Sequence, residues 1–267
     1  TAVVKENPFF DDDLLRKVPT RRAAYSDRMA YIMASMAEMA YLKHEAGERG
    51  QLTERLESGG FRLIETFNNN ETQAFIARCN DYAVLAFRGT EGKIKDILSD
   101  LKFKLTRKGR HRGFDQAYKN VAEAAKDTLS HRRDLPLYIT GHSLGAAIAV
   151  IATQDLDSDN LAACYTFGCP RVGNAEFDRS VKAPVYRVVN AADGVTRVPF
   201  IFMGRTHVGD LRYLTRKGDL LRNPNMIRRF GRFTANFVRR PMSTGTDHAI
   251  ANYRSKLKII ALRRNKN

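Results

Sequence analysis

Residues 135–154 read LPLYIT, GHSLG and AAIAVIATQ, which is an apolar strand pattern, a turn bounded by glycines and an apolar helix pattern. The turn has the form G-x-S-x-G, in which a serine occupies a sharp bend between a strand and a helix. A serine in that place projects from the sheet edge, and the helix N-terminus adds partial positive charge where an oxyanion would develop. The pattern predicts Ser143 as a nucleophile. A glycine-rich turn with an idle serine is the alternative.

The rest of the chain places this turn in an α/β protein. Strand and helix patterns alternate through its middle, which predicts a central, mostly parallel sheet with helices on both faces. Ligands of such sheets bind at the carboxyl ends of the strands. The run Asn68 to Asn70 predicts a turn between the first two strands. Strands are predicted at 61–67, 72–79, 82–87, 135–140, 161–167, 183–190 and 211–214, and helices at 27–44, 114–129, 144–154 and around 250–260.

The composition limits the class of protein. A chain of 267 residues, 43% of them apolar, is enough for one large core, and we predict a single domain over residues 1–267. No apolar run approaches the roughly 20 residues of a membrane-spanning helix. Three cysteines without a CxxC spacing argue against a disulfide framework or a zinc site. We expect Cys79, Cys164 and Cys169 to be small core residues, and we expect no metal.

Positive charge is concentrated in the C-terminal part of the chain. The net charge is +16, and from Thr215 onward 14 basic residues stand against Asp219 and Asp247. Residues 226–240 alternate arginines with apolar side chains, a pattern suited to an anionic lipid surface. Basic stripes also bind nucleic acid through its phosphates. A solvated basic helix at the edge of the core is the third interpretation, and composition alone does not decide among the three.

A serine hydroxyl becomes a nucleophile only when a base takes its proton and an acid orients that base. In hydrolases with this turn the chain order is serine, acid, histidine, so only His207 and His248 lie far enough downstream. His248 follows a loop rich in Ser, Thr and Gly and precedes an apolar helix pattern, which favours it as the base. His207 is interpreted as structural.

The acid is expected at the carboxyl end of a strand. Asp193 follows the predicted strand 183–190 by a short turn and precedes Gly194, so it is the favoured acid. The alternatives are Asp178 and Asp210.

Six blocks of sequence then connect the chain to a family: FRGT at 87–90, HRGF at 111–114, GHSLGAA at 141–147, TFGCPRVGN at 166–174, VVNAAD at 188–193 and DHAIANY at 247–253. In this order, over roughly residues 26–257, they resemble the class 3 lipases, the fungal-type triacylglycerol lipases of the α/β-hydrolase fold. The resemblance implies Ser143, Asp193 and His248 as the catalytic triad, in agreement with chain order. It also implies an oxyanion hole, made by the Thr90 amide and hydroxyl with the Leu144 amide.

The resemblance further implies a short helical lid at about residues 91–109. An apolar stripe at i, i+3, i+4 and i+7 is consistent with one, because it would cover the site in water and turn to lipid at an interface. A fixed surface helix has the same pattern and stays open as an alternative. The stripe consists of Ile94, Ile97, Leu98 and Leu101.

These observations predict a lipid carboxylester hydrolase, similar to triacylglycerol lipases, that works through an acyl-enzyme without a metal or organic cofactor. The alternatives are a phospholipase A at anionic membranes, a small-ester esterase or acyltransferase, and a basic lipid- or nucleic-acid-binding protein on a hydrolase scaffold. The expected partner is a lipid ester at a membrane or emulsion interface, anionic in one interpretation, with no nucleic-acid partner. A secreted protein, or one peripheral to a lipid surface, is favoured.

Overall fold

Within the described residues, eight strands form one sheet in which every strand pairs with its neighbours along the chain. The computed structural model describes residues 8–15, 18, 24–42, 49–89, 105–131, 134–191, 193–197, 205–224 and 247–265. Pairs from β3 to β7 are parallel, whereas β1–β2, β2–β3 and β7–β8 are antiparallel, which confirms the mostly parallel sheet. The strands are β1 (Arg62–Asn69), β2 (Thr72–Arg78), β3 (Ala83–Phe87), β4 (Leu137–His142), β5 (Leu161–Phe167), β6 (Val185–Asn190), β7 (Asp210–Leu214) and β8 (Leu220–Arg222).

Both faces of this sheet are covered by helices, and the strand order explains which ones. Right-handed crossovers between strands in sequential order put the connecting helices on one face, where α4, α5 and α6 bury their apolar side chains. The other face is covered by α1, α2, α3 and α7, which come from the two ends of the chain. The helices are α1 (Asp12–Leu15), α2 (Asp27–Met39), α3 (Arg49–Glu57), α4 (Arg112–Ser130), α5 (Leu144–Asp155), α6 (Ala175–Ser180) and α7 (Ile250–Asn265).

Local signals account for the element boundaries. The Ser26 hydroxyl accepts the Met29 N–H and caps α2. The predicted turn at Asn68 begins too early, because β1 continues through Asn69 and the two positive φ angles belong to Asn70 and Glu71. Sequence patterns missed α1, α3, α6 and β8, which are short and bury few apolar side chains.

Part of the C-terminal positive charge has a structural role. Lys258 of α7 lies 3.0 Å from Asp11, Arg264 lies 2.6 Å from Asp27, and Arg254 pairs with Glu38. These ion pairs join α7 to the N-terminal helices on the same face of the sheet. The basic segment 226–240 and residues 91–104 of the predicted lid lie outside the described residues. The interpretations of both segments therefore stay predictions.

All three cysteines lie within the described residues. Cys164 and Cys169 are free and buried, as expected of core residues, whereas Cys79 is free and only partly buried. Across the part of the chain that the structure describes, no helix combines the length and the apolar content needed to cross a bilayer.

Candidate active site

The turn between β4 and α5 has the geometry that its sequence predicts. Ser143 adopts φ 58° and ψ −123°, a left-handed conformation rare for residues with a side chain. A Cβ on Gly141 would overlap the carbonyl of Gly145, and one on Gly145 would overlap the carbonyl of Phe87. The two glycines therefore let the first turn of α5 pack directly on β3 and β4, and this holds Ser143 at the carboxyl end of the sheet.

Asp193 and His248 meet at the carboxyl end of β6. The Asp193 Oδ2 accepts a hydrogen bond from His248 Nδ1 at 2.9 Å, and its Oδ1 accepts one from the Val195 amide at 2.9 Å. Both side chains are buried, with at most 4% exposed. Because a carboxylate only accepts, the imidazole proton sits on Nδ1 and the Nε2 lone pair is left available as a base.

Gly168 brings the serine turn to this acid–histidine pair. The Ser143 amide bonds to the Phe167 carbonyl at 3.0 Å, and the next residue, Gly168, has φ +59°. A Cβ there would lie 2.8 Å from Asp193 Oδ2 and 2.9 Å from His248 Nδ1. The three predicted triad residues are thus gathered around one glycine.

The last contact of a triad, between Ser143 and His248, is not a formed hydrogen bond in this structure. His248 Nε2 is buried and has no hydrogen-bond partner among the described residues. Catalytic hydrogen bonds are often long without substrate and tighten when it binds. The structure therefore joins His248 to Asp193 and leaves the contact between His248 and Ser143 unformed.

Tyr253 of α7 is a member of the site that sequence reasoning missed. Its hydroxyl donates to Asp193 Oδ2 and accepts the Asn190 amide at 3.1 Å. Burial, followed by the negative charge of Asp193, raises the pKa of Tyr253 well above its usual value, so the hydroxyl keeps its proton. The sequence held one signal for this role. Tyr253 lies in an otherwise aliphatic stripe, and a buried tyrosine hydroxyl needs a hydrogen-bond partner.

His142 is not one of the predicted triad residues, but it contacts His248. Its ring centroid is 4.5 Å from that of His248, its Nε2 donates to the His248 carbonyl at 2.6 Å, and its Nδ1 accepts the Tyr41 hydroxyl at 2.8 Å. Burial, and secondarily the nearby His248, lowers the pKa of His142 well below 6.5, which keeps the ring neutral.

The alternative acids are placed away from the base. Asp178 belongs to α6, and Asp210 begins β7, where it lies 3.6 Å from Arg212 and 3.8 Å from Arg222. It is His248, not His207, that bonds to Asp193.

Of the two residues predicted to form the oxyanion hole, the structure describes Leu144 alone. Leu144 is the first residue of α5, so its amide belongs to the helix turn whose N–H groups lack intrahelical acceptors. Thr90 and the lid residues Ile94, Ile97, Leu98 and Leu101 lie outside the described residues.

The sheet, the turn at Ser143 and the covering helices define an α/β-hydrolase. The family model for Lipase (class 3) matches residues 84–203, which include that turn and Asp193. Over these residues, and in the relatives described next, the chain is similar to the class 3 lipases.

Relatives of the chain are fungal lipases. The secreted mono- and diacylglycerol lipase A of Penicillium cyclopium is 30% identical over 161 residues, which cover 54% of this chain and 52% of the relative. The lipase of Rhizomucor miehei is 31% identical over 178 residues, covering 58% and 48%. The crystal structure of the lipase from Rhizopus microsporus var. chinensis aligns with a TM-score of 0.60 at 28% identity, covering 73% of this chain and 76% of that one. The chain spans about half the length of the curated relatives it matches.

Proposed function

We propose that the protein hydrolyses carboxylic esters of lipids, with Ser143 as nucleophile, His248 as base and Asp193 as the acid that orients it. The observation that carries the proposal is the buried bond from His248 Nδ1 to Asp193, which leaves Nε2 free beside the turn that bears Ser143. The chain acts as one catalytic domain in this proposal. One sheet runs from β1 to β8, and helices from both chain ends pack on it.

The reaction has two halves. Ser143 Oγ forms a bond to the acyl carbon while His248 Nε2 takes the hydroxyl proton, and the carbonyl oxygen becomes an oxyanion that the Leu144 and Thr90 donors stabilise. The ester C–O bond then breaks as His248 returns the proton to the leaving alcohol. Water attacks the acyl-enzyme in the same way, which releases the fatty acid and restores Ser143.

The substrate is an ester at a lipid–water interface. The name of the Penicillium relative, a secreted mono- and diacylglycerol lipase, favours acylglycerols and an extracellular site of action. The apolar stripe of the predicted lid, Ile94 to Leu101, supports a site that opens at such an interface. We expect turnover of emulsified acylglycerols to exceed that of the same esters below their solubility limit, and equal rates would argue against a lid.

Ser143→Ala is the direct genetic test of this function. The variant removes the nucleophile from a site that already tolerates a left-handed backbone, so folding should be unchanged by circular dichroism while acylglycerol hydrolysis falls about 10⁴-fold or more. Hydrolysis by the purified variant at the wild-type rate would show that the serine mechanism is wrong.

A phospholipase A activity is the second candidate, favoured by the basic amphipathic pattern of residues 226–240. A panel of acylglycerols and of zwitterionic and anionic phospholipids separates the two activities. Release of fatty acid from the phospholipids alone would assign the second.

A further inference from the structure

Two backbone carbonyls in the segment that carries the base are each bound by a buried side chain. The Asp247 carbonyl accepts a hydrogen bond from Asn190 Nδ2 at 2.8 Å, and the His248 carbonyl accepts one from His142 Nε2 at 2.6 Å. Asn190 is the last residue of β6 and His142 the last residue of β4. The two bonds therefore fix this segment to two different strands of the sheet.

The Asn190 side chain is oriented unambiguously by its partners. Its Oδ1 accepts a hydrogen bond from Lys256 Nζ at 2.6 Å, and an ammonium group can only donate. The Nδ2 must then face the Asp247 carbonyl, which can only accept. Asn190 is fully buried, and its own amide bonds to the Tyr253 hydroxyl that holds Asp193. Asn190 therefore contacts both Tyr253, which bonds to Asp193, and the backbone next to His248.

The His142 ring is fixed in the same way. A carbonyl acceptor at Nε2 requires the proton there, and the neutral ring then accepts the Tyr41 hydroxyl at Nδ1. The groups facing this ring are Tyr41 after α2, His248 before α7 and Tyr253 of α7, with Arg88 over the Tyr41 ring. The ring can serve as a rigid donor because a neutral form with one tautomer satisfies both contacts.

The base needs more support than its bond to Asp193. That bond holds Nδ1 alone, whereas catalysis requires Nε2 to reach the Ser143 hydroxyl, and a misplacement of about 1 Å can cost roughly 100-fold in rate. We propose that His142 and Asn190 are positioning residues which clamp the backbone at 247 and 248 and so aim His248 Nε2 at Ser143. This inference rests on the proposed function.

The test compares variants by steady-state hydrolysis of p-nitrophenyl butyrate, a soluble ester that requires no interface. Asn190→Asp keeps the side-chain volume and the Lys256 contact but cannot donate to Asp247, and His142→Phe keeps a ring but loses its donor. We expect kcat to fall about 10- to 100-fold in each, with KM within about twofold. His142→Gln retains an amide donor and should recover most of the loss.

Asn120→Ala is the matched control. Asn120 bonds to the Asn70 carbonyl and the Thr72 hydroxyl at the β1–β2 turn, and β3 to β5 separate that hairpin from β6, so its loss should lower stability and leave kcat unchanged. The clamp is wrong if Asn190→Asp retains wild-type kcat, if His142→Gln is as impaired as His142→Phe, or if Asn120→Ala loses the same activity. If His142→Phe fails to fold, Asn190→Asp decides alone. Full activity in Ser143→Ala would instead refute the proposed function.

Discussion

At the scale of single residues, the site depends on a glycine as much as on the side chains that form it. Gly168 has a positive φ and faces both members of the acid–histidine pair, so the positions of Asp193 and His248 require that this residue carry no Cβ. The steric role of Gly168 could not be read from the sequence, because a glycine after a strand indicates only a turn.

Gly168→Ala should inactivate the enzyme beyond any loss of stability. The methyl group would displace Asp193 or His248, and we expect kcat/KM to fall at least about 100-fold, measured with a soluble ester. Gly60→Ala is the control, because Gly60 has φ +77° with nothing within 4 Å of a built Cβ. It should cost about 1 kcal/mol of stability and no activity. Equal activity in the two variants would contradict the steric argument.

Tyr253→Phe tests the contribution of one hydroxyl group to activity. The variant keeps the ring in the core but removes the donor to Asp193 and the acceptor of the Asn190 amide. We expect kcat to fall about 10-fold, which corresponds to about 1.4 kcal/mol, with KM unchanged. An unchanged kcat would mean that the bonds from His248 and Val195 already hold the carboxylate.

At the scale of elements, local signals predicted most of the framework. The strand–turn–helix at Ser143, the strand before Asp193 and the apolar stripe after His248 are each contiguous in sequence, which is why the sequence could single out Asp193 and His248, the two side chains that the structure joins by a hydrogen bond. The supports of the site are not contiguous. Tyr41, His142, Asn190 and Tyr253 meet only after α2 and α7 pack on the same face of the sheet, and periodicity carries no information about such meetings.

The start of α4 gives a prediction about pH. His111 caps this helix by accepting the Gly113 amide at 3.2 Å, and burial, with a smaller contribution from Arg205, lowers the pKa of His111 from 6.5 to about 4. Between these two values the unfolded chain binds more protons than the folded one, so stability is full above pH 6.5 and falls as the pH drops toward 4. This group alone should cost about 2 kcal/mol between pH 7.5 and pH 5.

Urea unfolding at the two pH values measures that loss. His111→Asn preserves a capping acceptor without a titrating ring, and it should be less stable at pH 7.5 but lose less on acidification than the wild type. A variant with the same loss as the wild type would show that His111 is not responsible.

At the scale of the whole molecule, part of the net charge of +16 is used within the fold. Three cations of α7 are paired with Asp11, Asp27 and Glu38, so they contribute little to a long-range field. Residues 226–240 carry five arginines and no acid, which makes them the expected contact with an anionic lipid surface.

Vesicle sedimentation tests this contact. Binding to phosphatidylglycerol-containing vesicles should exceed binding to pure phosphatidylcholine and disappear at about 1 M salt, where charges are screened within about 3 Å. Reversing Arg228, Arg229 and Arg232 to glutamate should abolish the preference, whereas reversing the exposed Arg112, Arg179 and Lys182 should reduce it much less. Equal effects of the two sets would mean that net charge, not residues 226–240, determines binding.

The most direct test of the proposed chemistry is covalent labelling with a p-nitrophenyl alkylphosphonate, followed by peptide mass spectrometry. An activated serine attacks the phosphorus and expels p-nitrophenolate, so we predict one adduct per chain, on Ser143, appearing at the same rate as ester hydrolysis is lost. His248→Ala should slow the labelling at least about 100-fold, because the base is gone. Complete inactivation with the adduct on another residue, or full hydrolysis by protein labelled at Ser143, would contradict the account.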